Sequence, residues 1–228
     1  MPNQTLSLKR ALDLALAIPG LIAISPFLAV IAIWVRLDSA GPALFRQVRV
    51  GQGGRLFTMY KFRTMVVDAE DLLADLQHLN AGGKYMIKIP DDPRVTRVGR
   101  ALRRLGLDEF PQLWNVLRGE MSMVGPRPQV PKEVAEYTEA DRRRLSVRPG
   151  MTGLWQVTAR NDPSFERLVA LDLTYIDHWS LGLDLRILLR TFGAMRLGEG
   201  EDALPPELVA AYRQALQERA RRNEHVNT

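Results

Sequence analysis

No cysteine occurs anywhere in the chain, which excludes a disulfide framework, a thiolate metal site and a cysteine nucleophile. Internal repeats and low-complexity segments are missing too, so the pattern is not that of a repeat array or a disordered tract. Glycines cluster at Gly51-Gln52-Gly53-Gly54, yet no P-loop lysine pattern follows them, and a hairpin turn is the expected reading. Long uncharged stretches are absent with one exception, Leu14 to Val35. That run has about the length of a bilayer-spanning helix.

What is present is ordinary in amount. The 228 residues are 46% hydrophobic and 25% charged, enough for one domain with a real core plus additional segments. A net charge of +5 with a pI near 9.8 points to acidic partners: nucleic acid, anionic lipid or a phosphorylated substrate. Composition does not choose among them.

The apolar run is flanked by Lys9 and Arg10 before it and Arg36 after it. Its length and the lack of a small-residue cleavage site argue against a secretory signal. Pro19-Gly20 and Ser25-Pro26 interrupt it, and a mid-helix proline frees a carbonyl and kinks the helix. A neighbouring serine hydroxyl can satisfy such a freed group in lipid. With Arg46, Arg49 and Arg55 following soon after, the basic flanks favour keeping both ends in the cytoplasm. A kinked span and a helix that enters, bends and returns both fit the run.

Beyond it, the strand-like runs LFRQVRV and RLFTMYKFRTM around the glycines read as a hairpin over Ala43 to Met65. Lys61 and Arg63 are two apart, hence on one strand face. Val66 to Leu79 reads as an acidic surface helix whose His78 is solvated, and Asn80 to Pro93 as loop with Asp91-Asp92-Pro93 forming a turn. A helix over Val95 to Leu105 puts Arg97, Arg100 and Arg104 on one face, with Arg103 beside them.

The most informative stretch is Leu107 to Pro128, LDEFPQLWNVLRGEMSMVGPRP. Proline is tolerated mainly in the first turn of a helix, so Pro111 sets a helix start at or just before Asp108. Asp108 and Glu109 then sit at a helix N-terminus, an end that holds carboxylates ionised and attracts phosphate. Taken alone, the pair is equally a helix cap and GPRP a rigid turn.

Further on, Lys132 to Ser146 reads as a charged helix, and Arg148 to Arg160 (RPGMTGLWQVTAR) as a structured loop in which Trp155 and Gln156 serve either a nucleobase or sugar, or in the case of Trp155 the core. Asp162-Pro163 has the pattern of a helix N-cap and first position. Asp172 then falls on an apolar stripe with Leu168, Leu171, Tyr175 and Trp179. A carboxylate there needs a partner, such as a buried arginine. Leu183 to Met195 is either interfacial or core, and a basic amphipathic tail helix runs from Glu207 to Arg222 after Pro205-Pro206.

Three strings in this order, KFRTM (Lys61 to Met65), LDEFPQLWNVLRGEMSMVGPRP and RPGMTGLWQV, resemble the signatures of the bacterial sugar transferase family, the monotopic polyprenyl-phosphate phosphoglycosyl transferases. The likeness runs from about Lys9 to Met195. It departs at Gly106, where Ser or Thr is usual, at Phe110 for Leu, and at His178 in HWSL for the usual NWSL; His178 receives no role.

The resemblance implies a mainly α fold with a small β-hairpin (α+β), an N-terminal re-entrant membrane helix broken at Ser25-Pro26, and interfacial amphipathic helices. The expected division is an anchor at 1–40, a catalytic domain at 41–198 and a tail helix at 199–228, a minimal catalytic unit. Implied roles are Asp108 as nucleophile, Glu109 as metal ligand or base, Mg²⁺ held by these two, and Lys61, Arg63, Arg103 and Arg127 as phosphate contacts. Asp172 is a secondary candidate. The implied reaction moves a sugar phosphate from a UDP-sugar to polyprenyl (undecaprenyl) phosphate and releases UMP, starting glycoconjugate or exopolysaccharide assembly. That implies a place on the cytoplasmic face of the bacterial inner membrane, among membrane lipids and without nucleic acid, with homo-oligomerisation left open. A membrane-anchored basic binding protein and a glycosyl transferase releasing UDP are the competing readings.

Overall fold

The computed structural model describes residues 3–80, 89–160, 162, 164–194 and 204–226. It is mainly helical with small β elements, as expected. The chain forms two compact units. One comprises residues 1–49 and 56–123, the other 50–55 and 124–228.

The first unit opens with helix α1 (Asn3–Asp38), which continues through Pro19 and Pro26. Pro26 cannot donate to the carbonyl of Ile22 four residues earlier. The Ser25 hydroxyl donates to that carbonyl at 2.9 Å, so the group the proline frees is satisfied within the helix. Ser7–Asp38 is long and apolar enough to cross a membrane, with a mean hydropathy of 2.4 in its most apolar window.

Both ends of α1 are fastened to the same unit. Near the start, Arg10 donates to the carbonyls of Val116 (2.6 Å) and Leu117 (2.8 Å), while the buried Asp13 accepts from the Ser122 hydroxyl and Met123 N–H, each at 2.8 Å. At the far end Asp38 accepts from Val98 N–H at 3.0 Å, and Ile31 and Val35 join Phe62, Val98 and Leu102 in a core cluster. Between Ala17 and Ile31 no residue of α1 is buried, and Ile22 is 70% exposed.

Strands β1 (Leu44–Val50) and β2 (Leu56–Phe62) pair as the expected hairpin. Its turn adopts positive φ at Gly53 (66°) and Gly54 (79°), backbone regions open to glycine. The acidic segment that follows is not the regular surface helix its pattern suggests: it is mostly turns, with short helix α2 (Leu73–Leu76) and a 3-10 turn at Gln77–Leu79. Of the expected loop over Asn80 to Pro93, residues 81–88, including Gly82-Gly83, lie outside the described residues. Its turn at Asp91-Asp92 is present, and Asp92 pairs with Arg94 at 2.7 Å.

Helix α3 (Arg97–Leu105) starts where the Thr96 side chain accepts from Gly99 N–H and stops at Gly106, whose φ of 67° is left-handed. The departure from Ser or Thr at this position therefore matches what the backbone demands, since a Cβ is disfavoured there. The chain then tightens into a 3-10 segment, Leu107–Gln112, and α4 (Leu113–Leu117) follows. A helix does begin just before Asp108, as Pro111 implied, but its first turns are 3-10 and not α. Pro111 lacks the N–H that an α-helix would direct to Leu107 C=O, and the segment takes three-residue turns instead.

The chain passes into the second unit within the short strand β3 (Ser122–Val124). The charged helix expected over Lys132 to Ser146 is broken into α5 (Pro131–Ala135), α6 (Glu139–Arg142) and a 3-10 turn at Arg143–Ser146. Thr138 caps a new start, accepting from Asp141 N–H while Asp141 accepts from Thr138 N–H. Strand β4 (Gly150–Thr152) runs alongside the Gly125-Pro126 backbone, with Gly125 N–H donating to Thr152 O and Gly150 N–H to Pro126 O, both at 2.9 Å.

Helix α7 (Leu154–Thr158) places Trp155 in the core, 3% exposed, the packing role among its two readings. Helix α8 (Phe165–Asp177) is capped by Ser164 rather than Asp162. Asp162 instead accepts from Ser164 N–H and the Arg167 guanidinium, and Pro163, the expected first helical position, lies outside the described residues. Helix α9 (Leu181–Ala194) buries Leu183 and Ile187 and leaves Leu185 and Leu189 exposed. Tail helix α10 (Pro206–Val226) packs on α8 within this unit, with Tyr212 buried and Arg219 reaching Asp141.

Candidate active site

In the first unit, the 3-10 segment carrying Asp108 and Glu109 packs against β2. Successive residues of such a turn point about 120° apart, so the two carboxylates face different ways. Glu109 takes an ion pair from Lys61 of β2, Nζ to Oε1 2.8 Å, with both side chains partly buried. Arg103, in the last turn of α3, donates through Nε to the Thr64 hydroxyl at 2.9 Å. Burial raises the Asp108 carboxyl above its ordinary range and the neighbouring Glu109 charge adds to this, while Lys61, Arg103 and its own backbone N–H pull it down. Burial also lowers Arg103, against the attraction of Asp108 and Asp92. Asp108, Glu109, Lys61 and Arg103 thus form one electrostatic group.

Arg63 does not join it. Sharing a strand face with Lys61 does not bring the two to one place, because β2 ends at Phe62. Every nitrogen of the Arg63 guanidinium donates elsewhere: Nε to Pro42 O (2.7 Å), Nη1 to the Ser39 hydroxyl (2.6 Å) and Nη2 to Ser39 O (2.8 Å). The phosphate contact implied for it is replaced by a grip on the chain leaving α1.

Arg127 belongs to the second unit. With Tyr137, Gln129, Arg144 and Pro149 it lines a shallow cleft there. Its carbonyl accepts from Arg144, whose guanidinium is otherwise committed to Asp172 through two bonds of 2.9 and 2.6 Å and to the Tyr137 hydroxyl. Burial raises the Asp172 carboxyl, with Arg144 pulling against it, and raises the Tyr137 hydroxyl to about 12. Asp172 therefore has the buried arginine partner that its apolar stripe demanded, and the pair holds α8 to the turn after α6.

Two supporting residues lie inside the quoted strings but had no role assigned from the sequence. Asn115 is fully buried, accepts from Tyr60 N–H and donates to Thr58 O and Glu120, tying α4 to β2 behind the carboxylates. Thr64 fixes Arg103. Both are identified only by the partners that folding brings to them.

Among the described residues no group of three or more His, Asp or Glu side chains is gathered for a metal. Asp108 and Glu109 offer two hard oxygen donors. Facing different ways, they would share a cation only through its water shell, which suits Mg²⁺, since it takes one or two carboxylates and completes its shell with water and substrate phosphates, and a cation there would offset the burial and the Glu109 charge that raise Asp108.

A family model described as bacterial sugar transferase matches residues 4–198. The galactosyl transferase CpsE of Streptococcus agalactiae is 45% identical over 193 residues, covering 84% of this chain and 43% of that protein. The exopolysaccharide production protein ExoY of Sinorhizobium fredii is 42% identical, covering 84% and 87%. An undecaprenyl-phosphate galactose phosphotransferase of Salmonella typhimurium is 42% identical, covering 81% and 39%. The chain thus spans less than half of two of these relatives and most of the third. With the carboxylate cluster, the apolar helix and a match over most of its length, this chain belongs to the bacterial sugar transferase family.

Proposed function

We propose that this protein is a membrane-bound sugar-phosphate transferase that moves a sugar 1-phosphate from a UDP-sugar to undecaprenyl phosphate. The observation that carries the reading is the cluster of Asp108, Glu109, Lys61 and Arg103, a partly buried pair of carboxylates with a lysine and an arginine beside it. The family membership and the names of its relatives support the lipid acceptor and the class of reaction.

In the proposed route the Asp108 carboxylate attacks the β-phosphorus of the UDP-sugar. The bond from that phosphorus to the bridging oxygen breaks, UMP leaves with the electron pair, and the sugar phosphate is held as an acyl phosphate on Asp108. An oxygen of polyprenyl phosphate then attacks the same phosphorus, the aspartate leaves, and a polyprenyl diphospho-sugar results. Burial that destabilises the ionised Asp108 also strips water from the attacking oxygens. Lys61 and Arg103 offset charge on the phosphates in both steps. Asp108 and Glu109 would hold Mg²⁺, which when bound supplies additional charge neutralisation at the phosphates.

Membrane attachment has a chemical reason here. The acceptor phosphate stays at headgroup level while the nucleotide sugar arrives from solution, so the cluster has to sit at the interface on the cytoplasmic face. Fastening of both ends of α1 to one unit, with the exposed apolar stretch between them, supports both ends lying on one side of the membrane over a full crossing.

Intact-mass spectrometry tests the route. Wild type incubated with UDP-galactose or UDP-glucose and Mg²⁺, without lipid acceptor, is expected to gain one hexose-phosphate mass and release UMP, and Asp108→Asn to gain none. Release of UDP alone would sink the reading in favour of simple glycosyl transfer. Unchanged sugar-lipid synthesis in Asp108→Asn would make Asp108 a cap.

A further inference from the structure

The proposed reaction needs two phosphates brought to one cluster from different sides, one from solution and one fixed in the lipid layer. The second depends on where the membrane helix leaves the protein. At that exit the chain runs from Asp38 through Ser39 to Pro42 and directly into β1. One side chain gathers this exit. Arg63 donates to Ser39 O, the Ser39 hydroxyl and Pro42 O at 2.6 to 2.8 Å, and at 3.4 Å to Met65 O. It is 5% exposed, so these bonds are shielded from competing water.

Its position in the sequence gives this grip its meaning. Two residues before it, Lys61 pairs with Glu109. One residue after it, the Thr64 hydroxyl holds Arg103 while the Thr64 carbonyl accepts from Thr96 N–H at 3.1 Å, beside the cap of α3. Asp38, at the end of α1, accepts from the Val98 N–H of that same helix. Four consecutive residues, 61 to 64, therefore supply one cation of the cluster, hold the other and fasten the membrane helix. Van der Waals contacts could hold the exit loosely, but three close acceptors on one planar fork fix both its distance and its orientation.

We infer that Arg63 is a positioning residue that sets the membrane helix in register with the reacting carboxylates, and so determines how the lipid phosphate is presented to the cluster. This rests on the transfer reaction proposed above. Arg63 touches neither phosphate. Its loss acts on the acceptor step, in which the lipid-borne phosphate has to reach the phosphorus held at Asp108, and spares the donor step, whose substrate diffuses in from solution. Lysine does not replace it, because a single ammonium does not reproduce the fork across Ser39 and Pro42.

The test separates the two steps in Arg63→Lys and Arg63→Ala, reconstituted in vesicles or nanodiscs with undecaprenyl phosphate. The expected result is a hexose-phosphate adduct formed at the wild-type rate, with the KM for undecaprenyl phosphate raised about tenfold or more and the KM for the UDP-sugar unchanged. Ser39→Ala, which removes one acceptor and leaves the carbonyls, is expected to raise the lipid KM by a few-fold, and it stands in if the arginine variants do not fold. Loss of adduct formation in step with lipid transfer would overturn the inference, as would an unchanged lipid KM in the variants. Wild type run alongside keeps the two proposals apart. If it forms no adduct yet makes sugar-lipid, the covalent route fails, and Arg63 is then judged on the lipid KM against the donor KM alone.

Discussion

Removing the Asp172 carboxylate puts the assignment of this residue to a test of magnitude. Arg144 and Asp172 expose 2% and 1% of their side chains. In Asp172→Ala the guanidinium keeps only neutral acceptors, the Tyr137 hydroxyl and the Arg127 carbonyl. Breaking a buried pair from one side leaves an uncompensated charge and costs about 3–5 kcal/mol. For a chain of this size each kcal/mol lowers Tm by about 2–4 °C, so the expected drop is about 6–20 °C. Thermal unfolding in detergent, followed by tryptophan fluorescence, measures it. The double variant Arg144→Met with Asp172→Leu removes both charges and fills the space, and should recover most of the loss, because apolar replacement of a buried pair is often neutral or stabilising. An Asp172→Ala protein with wild-type Tm and no activity would refute the reasoning and return Asp172 to the chemistry.

Other outcomes follow from the cluster. Asp108 has to be ionised to attack, so adduct formation falls as pH drops through its pKa, and with that pKa raised the acid limb lies above the ordinary aspartate value of about 3.9. Glu109→Gln removes the like charge and should move the limb to lower pH, whereas Lys61→Met removes an opposing charge and should move it higher; rates of adduct formation against pH report both, and a common direction would contradict the electrostatic account. In Gly99→Ala the new Cβ would stand 2.1 Å from the Thr64 carbonyl oxygen, so α3 has to retreat. The expected cost is about 1–3 kcal/mol, with synthesis falling about 100-fold as Arg103 loses its alignment, and a normal rate would show that α3 need not sit so close.

Several features were legible because their causes are local. The hairpin follows from two strand-like runs around glycines that take positive φ. The long apolar helix follows from an uncharged run of bilayer length, and the Ser25 bond to Ile22 from the geometry of a proline and the hydroxyl beside it. The helical breaks were less legible. Val66 to Leu79 and Lys132 to Ser146 have helical composition, yet the first folds mostly as turns and Thr138 restarts the second, since a cap competes with continuation and its outcome depends on packing around it. Asp108 falls in the first turn of a helix, as Pro111 implied, but that helix is 3-10 and not α, because Gly106 and Pro111 together favour the tighter turn.

By itself the sequence determined the inventory: a long apolar run, a pair of adjacent carboxylates, a set of arginines and lysines in recognisable strings, and no thiol chemistry. Only the tertiary structure decided which cation serves which carboxylate. Lys61 and Arg63 differ by two positions, but one meets Glu109 and the other meets the chain leaving α1. Asp172 found Arg144, 28 positions earlier, and Asn115 found β2. Charge and hydrogen-bonding capacity belong to a residue, whereas the partner that neutralises it is fixed by long-range packing, and that packing separates a carboxylate's counter-ion from a clamp on the chain.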